Sequence, residues 1–262
     1  MALAEIGDLN LATHFTWVQR RTRGMRVRDD PGFVLTDSGL PCDTFNAVCR
    51  ARLTPPGAEA AISEAVGWFT RAGRPFSWWV GPADTPSNLG ALLESGGRLE
   101  PSETELAMAL DLTGLETGNS TPRGLDIQPV TTAAQVRAFA EINAANWSPP
   151  DPWVLHFYEV ATPVLLARDS PIRLYLGYLD GAPVATAELT TSAGVVGLYN
   201  VATLEAYRRR GIGSAMTLRP LLDAARDGRR TAVLQAAPDG VGVYRRIGFV
   251  PYGEITEYKP AP

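Results

Sequence analysis

Between Leu125 and Tyr258 the apolar residues fall into short runs, each with its own period and each closed by glycine, proline or small polar residues. Leu125 to Val130 alternates as a half-buried strand does, and Thr131 or Thr132 stands where a cap is needed for a helix over Ala133 to Ala145. Trp147 to Arg168 is aromatic and interrupted by proline, which predicts a helix in its middle. Three strands are predicted next: Arg173 to Leu179, Pro183 to Thr190 and Val195 to Leu204. Asp180-Gly181 and Ser192-Ala193-Gly194 join them with hairpin chemistry, so the three read as antiparallel neighbours. A helix over Ser214 to Ala225 follows, stopped by Asp227-Gly228, and Thr231 to Ala236 reads as a buried strand. A short helix holding Tyr244 is closed by Gly248-Phe249, which returns the chain as a last strand over Val250 to Tyr258. This order of strands and helices is that of a mixed α+β domain.

Thr, Gly, Asn, Ser and Pro accumulate from Asp111 to Gly124, which places a boundary near residue 122 and predicts two domains, 1–122 and 123–262. The 262 residues suffice for two cores. No apolar run approaches the length of a membrane span, and Glu5 and Asp8 stand where a secretion signal would carry a basic head. A cytoplasmic protein with no membrane partner is expected. Cys42 and Cys49 are too few for a disulfide framework and have no ligand cluster for zinc, so they read as free thiols and no metal is expected.

Charge is unevenly placed. The whole chain is at −4, yet from Leu198 onward ten basic residues face six acidic ones, a local balance of +4 that leaves about −8 for the rest. Lys259 is the only lysine against 23 arginines, a bias that explains the choice of arginine but not its position. An acidic whole with one short basic segment argues against a nucleic-acid surface.

That basic segment is centred on Arg208-Arg209-Arg210-Gly211-Ile212-Gly213, between the strand Val195 to Leu204 and the helix from Ser214. A strand that turns through glycines into a helix aims free backbone N–H groups, and the positive end of the helix dipole, at a phosphate. Gly211 and Gly213 let the backbone approach a ligand without a Cβ in the way. The arginines add charge, one or two of them facing a pyrophosphate at once. Glycine-rich turns also end strands for purely steric reasons, so the turn alone leaves both readings open.

A second motif follows, Tyr244-Arg245-Arg246-Ile247-Gly248-Phe249. With Val201-Ala202-Thr203 leading into the Arg-rich glycine turn, residues 125–258 resemble the GNAT superfamily of acetyl-coenzyme A dependent N-acyltransferases. The resemblance implies a central, mostly antiparallel twisted sheet with flanking helices and acetyl-CoA as cofactor. It implies that the strand ending at Val201, Ala202 and Thr203 splays from its neighbour to pair with the pantetheine arm. The turn, Arg208, Arg209, Arg210, Gly211, Ile212, Gly213 and Ser214, is implied to hold the pyrophosphate. Two departures stand out: Glu205 where proline is frequent, and Ala237 where asparagine is often found.

Direct attack by an amine on the thioester needs an oxyanion donor, for which a backbone N–H near Val201 is the candidate. It also needs an acid for the departing thiolate. Tyr244 fits, because a phenol of pKa about 10 can protonate a thiolate whose conjugate acid lies near 8.5; the plainer reading is a half-buried core tyrosine. Glu188 is the only charged residue between Gly181 and Glu205 and is the candidate general base, with an edge-facing solvated glutamate as the ordinary alternative. His156 is its rival, in the aromatic stretch Trp153 to Tyr158. The expected partner is a small-molecule amine. Acyl transfer to a protein N-terminus or lysine, and a non-catalytic acyl-CoA module, are the alternatives.

The first 120 residues carry echoes of the second half. Arg71-Ala72-Gly73-Arg74 followed by Phe76 to Pro82 parallels Arg226-Asp227-Gly228-Arg229 followed by Thr231 to Pro238. Leu92 to Gly96 has the spacing of Tyr244 to Gly248, and Phe45 to Val48 echoes Tyr199 to Ala202. In the first half the phosphate turn is replaced by Leu53-Thr54-Pro55-Pro56-Gly57 and the tyrosine by Leu92. A tandem pair of GNAT-like domains is therefore expected, the first having lost the cofactor and kept its packing, in a monomer or homodimer; an unrelated accessory α+β domain over 1–122 is the alternative.

Overall fold

The computed structural model describes residues 1–115 and 121–261; residues 116–120, within the Asp111 to Gly124 linker, and residue 262 lie outside the described residues. In chain order the elements are α1 (Leu3–Thr16), β1 (Arg26–Asp30), β2 (Phe33–Asp37), β3 (Ala47–Cys49), α2 (Ala58–Ala72), β4 (Ser77–Val80), α3 (Leu89–Glu94) and β5 (Leu99–Asp111). Then come β6 (Leu125–Pro129), α4 (Ala133–Ala144), α5 (Pro152–Leu165), β7 (Ile172–Leu179), β8 (Ala182–Ser192) and β9 (Val195–Thr203). The chain continues through α6 (Ile212–Arg226), β10 (Thr231–Ala236), α7 (Val241–Ile247) and β11 (Val250–Pro260). Two compact units result. The first is Met1–Ala107 with Gln235–Pro238 and Pro251–Pro262, the second Met108–Leu234 with Asp239–Val250.

In the first unit the strand order is β1-β2-β3-β4-β11-β5. Its core forms because α2 repeats apolar residues on one face. Ala58, Ile62, Ala65 and Phe69 are all fully buried and cluster with Phe33, Leu35, Val48 and Trp78 of the sheet. Phe69 also stacks on Phe76 with ring centroids 4.4 Å apart. Gly73, in the left-handed region at φ +61°, closes the helix. Cys42 and Cys49 are buried and not joined in a disulfide.

In the second unit the order runs from the end of β5 through β10, β9, β8 and β7 to β6. The β6 to β9 pairings are antiparallel, and the turns at Asp180-Gly181 and Ala193-Gly194 place both residues at positive φ, as tight hairpins require. Thr132 caps α4: its hydroxyl accepts from the Gln135 amide while the Gln135 side chain accepts from the Thr132 amide. Both α4 and α6 pack against β7, β8 and β9. Gly177 on β7 faces α6, where Met216 leaves no room for a Cβ.

The two units repeat one arrangement. β1, β2 and β3 are successive antiparallel neighbours, as are β7, β8 and β9. β3 then crosses through α2 to the parallel β4, and β9 crosses through α6 to the parallel β10. The parallel registers pair Ala47 with Ser77 in the first unit and Val196 with Ala232 in the second.

Candidate active site

The chemistry read from the sequence collects around the N-terminus of α6. β9 ends at Thr203, a single helical turn spans Glu205 to Tyr207, and Gly211 takes the cap position of α6 at φ +80°. A side chain there would be strained, and Arg209 is also left-handed at φ +63°. The first hydrogen bond of the helix runs from the Ala215 amide to the Gly211 carbonyl at 3.1 Å, so the amides of Gly211 to Ser214 precede the helical ladder. No side chain caps them. A Cβ built on Gly213 would meet nothing within 4 Å.

The three arginines do different things. Arg208 donates through Nε to the Thr203 carbonyl at 2.9 Å. Arg210 donates to the Ala206 carbonyl at 3.1 Å and lies 5.5 Å from the Tyr207 ring centroid. Each uses one edge of its guanidinium to stiffen the turn, and all three remain exposed. Donor chemistry, charge and open space fit a diphosphate carried by an acyl-CoA.

β9 itself is irregular. Tyr199 lies opposite Glu188 and Ala202 opposite Thr186, so two residues, Asn200 and Val201, face the single Ala187. Asn200 is left-handed at φ +50°. On its other side, the register of β9 with β10 covers Val196 and Gly197 against Ala232 and Val233. Beyond Gly197 the strand runs on to Thr203 outside the register with β10.

Behind the bulge lies a buried polar network. Thr186, Glu188 and Thr190 alternate onto the face of β8 that meets Asn143 of α4, and Glu188 is only 3% exposed. Its Oε1 accepts from the Thr190 hydroxyl at 2.9 Å, and its Oε2 accepts from Asn200 Nδ2 at 2.8 Å. Asn200 Nδ2 also reaches the Tyr158 hydroxyl at 3.2 Å, while the Asn200 carbonyl accepts from the Thr186 hydroxyl at 2.9 Å. Burial, and then the Glu188 charge, push the Tyr158 phenol well above its ordinary range. Glu188 is therefore not the solvated edge residue that the sequence allowed. His156 is exposed on α5, edge-on to Trp153. Trp147 and Trp153 are exposed as well, so of the aromatic stretch only Phe157 and Tyr158 turn inward.

Tyr244 lies on α7, which packs against α6, and is half-buried with its ring edge-to-face on Phe249 at 5.9 Å. Gly248 ends α7 at φ +111°, and the Gly248 and Phe249 amides both bond back to the Tyr244 carbonyl. The spacing Tyr-x-x-x-Gly-Phe is thus a helix stop that seats the tyrosine ring on a buried phenylalanine. An open cleft of about 730 Å³ also exists in this unit, lined by Leu112, Leu222, Arg226, Arg229 and Arg230. It lies at the C-terminal end of α6, about 20 Å along the helix from the glycine turn.

The corresponding place in the first unit is built differently. After β3 the chain follows Arg50 to Leu53, and the Thr85 amide donates to the Ala51 carbonyl while the Leu53 amide donates to the Thr85 carbonyl, both at 3.0 Å. The loop after β4 thus pairs with the chain that follows β3. Arg52 pins this loop by joining Asp84 and Asp8 at 2.7 and 2.6 Å.

The site thus combines a bulged strand with a turn through glycine onto an uncapped helix N-terminus. Residues 121–242 match the family model of the Acetyltransferase (GNAT) domain, and this stretch of the chain is a GNAT domain. The chain shares its fold with a GCN5-related N-acetyltransferase from Kribbella flavida, at 20% identity and TM-score 0.73 over 100% of this chain and 97% of that one. It is also similar to a tandem GNAT protein from the clavulanic acid biosynthesis pathway, at 16% identity and TM-score 0.65, covering 98% and 95% of the two chains. A third similar structure, a GCN5-related N-acetyltransferase from Sphaerobacter thermophilus, has 19% identity and TM-score 0.59 over 92% and 83%. No curated protein matches the sequence. Among the described residues no cluster of His, Cys, Asp and Glu is suited to a metal, and no helix is long and apolar enough to cross a membrane.

Proposed function

We propose that the protein transfers an acetyl group from acetyl-CoA to a primary amine of a small-molecule acceptor, by direct attack, in the cytoplasm. The observation that carries this reading is the uncapped, glycine-led N-terminus of α6 placed directly after a bulged strand whose register with β10 ends at Gly197. Acetyl-CoA supplies the activated acyl thioester when bound. The amides of Gly211 to Ser214 and the adjoining arginines hold its diphosphate, and the backbone of Val201 to Thr203 pairs with the amide-bearing arm. The Val201 amide receives the charge that builds on the acyl oxygen. The Tyr244 hydroxyl donates its proton to the departing sulfur and is restored by water.

In this reading the protein is a tandem pair, 1–122 accessory and 123–262 catalytic, functioning as a monomer or homodimer. The shared strand order of the two units supports the duplication, and the Thr85 loop supports cofactor loss in the first. Thermal unfolding with and without acetyl-CoA tests the site, in wild type and in Gly211→Asp. Ligand at about 100 times its Kd stabilises the native state by about 2.7 kcal/mol. The reading expects that gain in wild type, its loss in Gly211→Asp, one molecule bound per chain, and amine-dependent release of the CoA thiol. An unshifted wild type rejects it.

A further inference from the structure

The buried network behind β9 contains more polar chemistry than a sheet needs. Asn200 is held at three points: Thr186 donates to its carbonyl, and its Nδ2 reaches both Glu188 Oε2 and the Tyr158 hydroxyl. Thr186 is itself backed by Asn143 of α4 at 3.3 Å, and Glu188 by Thr190. The residue so anchored is left-handed and opens the bulge that carries Val201. A buried carboxylate, a buried phenol and two buried hydroxyls thus converge on one backbone conformation that L-residues adopt only at a cost.

We propose that Asn200 is a positioning residue, locked by Glu188 and Tyr158 so that the bulge aims the Val201 amide at the acyl oxygen. The inference rests on the acyltransferase reading of this site and assigns Glu188 a different task from proton removal. Glu188 acts through Asn200: its carboxylate fixes the side chain, the side chain fixes the backbone, and the backbone directs the donor. Asparagine suits the position because its short amide tolerates the left-handed region and still presents two donors to separate acceptors.

The test is a double-mutant cycle on the full chain with Asn200→Ala, Glu188→Gln and both together, read by steady-state kinetics on a reactive amine. Thermal shift by acetyl-CoA is measured on the same preparations. Each single variant is expected to bind acetyl-CoA as wild type does and to lose kcat by about a hundredfold, the cost of a donor misplaced by an ångström. The double variant is expected to lose no more than either single one, because both break one lock. The pH profile of kcat/KM is expected to keep its acid limb in Glu188→Gln. Asn200→Gly, which accepts the left-handed backbone freely, is expected to recover activity relative to Asn200→Ala.

Loss of the acid limb in Glu188→Gln would make Glu188 the base and overturn the proposal, as would additive losses or wild-type kcat in Asn200→Ala. Failure of the underlying reading looks different: wild type itself then shows neither acetyl-CoA stabilisation nor turnover. A variant that fails to unfold cooperatively is replaced by Tyr158→Phe, which removes one anchor with the ring retained and is expected to reproduce the kcat loss at unchanged acetyl-CoA affinity.

Discussion

Tyr244 has a ring seated on Phe249 and, in the proposed reaction, a hydroxyl that supplies the proton, and the two roles separate on substitution. Tyr244→Phe keeps the packing and removes the proton. It is expected to lower kcat by about a hundredfold with acetyl-CoA affinity unchanged, as general acids of this kind contribute; initial-rate measurement of thiol release checks it. A purely structural tyrosine would leave kcat near wild type. Tyr244 and Gly211 were legible in the sequence because each belongs to a local turn whose geometry demands glycine at a fixed spacing. Asn200, Thr186 and the Tyr158 hydroxyl were not. Asn200 and Tyr158 are 42 positions apart and meet only through the bulge, which no local pattern announces. The available hint was an asparagine, poor in β propensity, inside an otherwise apolar strand. Glu188 was noticed for its isolation, but isolation does not tell burial from exposure.

At the level of strands and helices the sequence was most informative where periods were clean. Each predicted strand and helix from Leu125 onward has a counterpart in β6 to β11 and α4 to α7. The first half was harder, since β3 has three residues and the loop after β4 pairs without forming a named strand. That loop also has a distinctive electrostatic signature. One guanidinium, Arg52, serves two buried carboxylates, and burial outweighs it, so Asp84 is pushed up to about 7 and Asp8 is raised. A carboxyl with a folded pKa of about 7 and an unfolded one of about 3.9 holds a proton in the native state that the unfolded chain has released. The stability it contributes is full below about pH 4 and is lost as pH rises through about 7. Glu105, also raised to about 7, adds a slope of the same sign. Urea unfolding between pH 4 and pH 8 is expected to show wild type losing stability with a steeper slope than Asp84→Asn. Equal slopes would mean that Asp84 is ionised throughout.

For the whole molecule, the break at Asp111 to Gly124 was visible in composition, but the sequence did not show which unit each terminal strand joins. The compact units are interleaved: Pro251–Pro262 belongs with the first and Met108–Asp111 with the second. Excised 1–122 therefore lacks the strand that pairs with β4, and is expected to show neither cooperative unfolding nor a folded near-ultraviolet circular dichroism spectrum. A fragment that unfolds cooperatively would show that β11 is dispensable to that unit. The β4–β11 register sets Trp78 against Tyr258, a closure over about 180 residues. A ribosome must therefore release nearly the entire GNAT domain before the amino-terminal unit can finish its sheet. The edge of β4 waits unpaired through that interval, so completion of this sheet follows synthesis of the domain that comes after it in the chain.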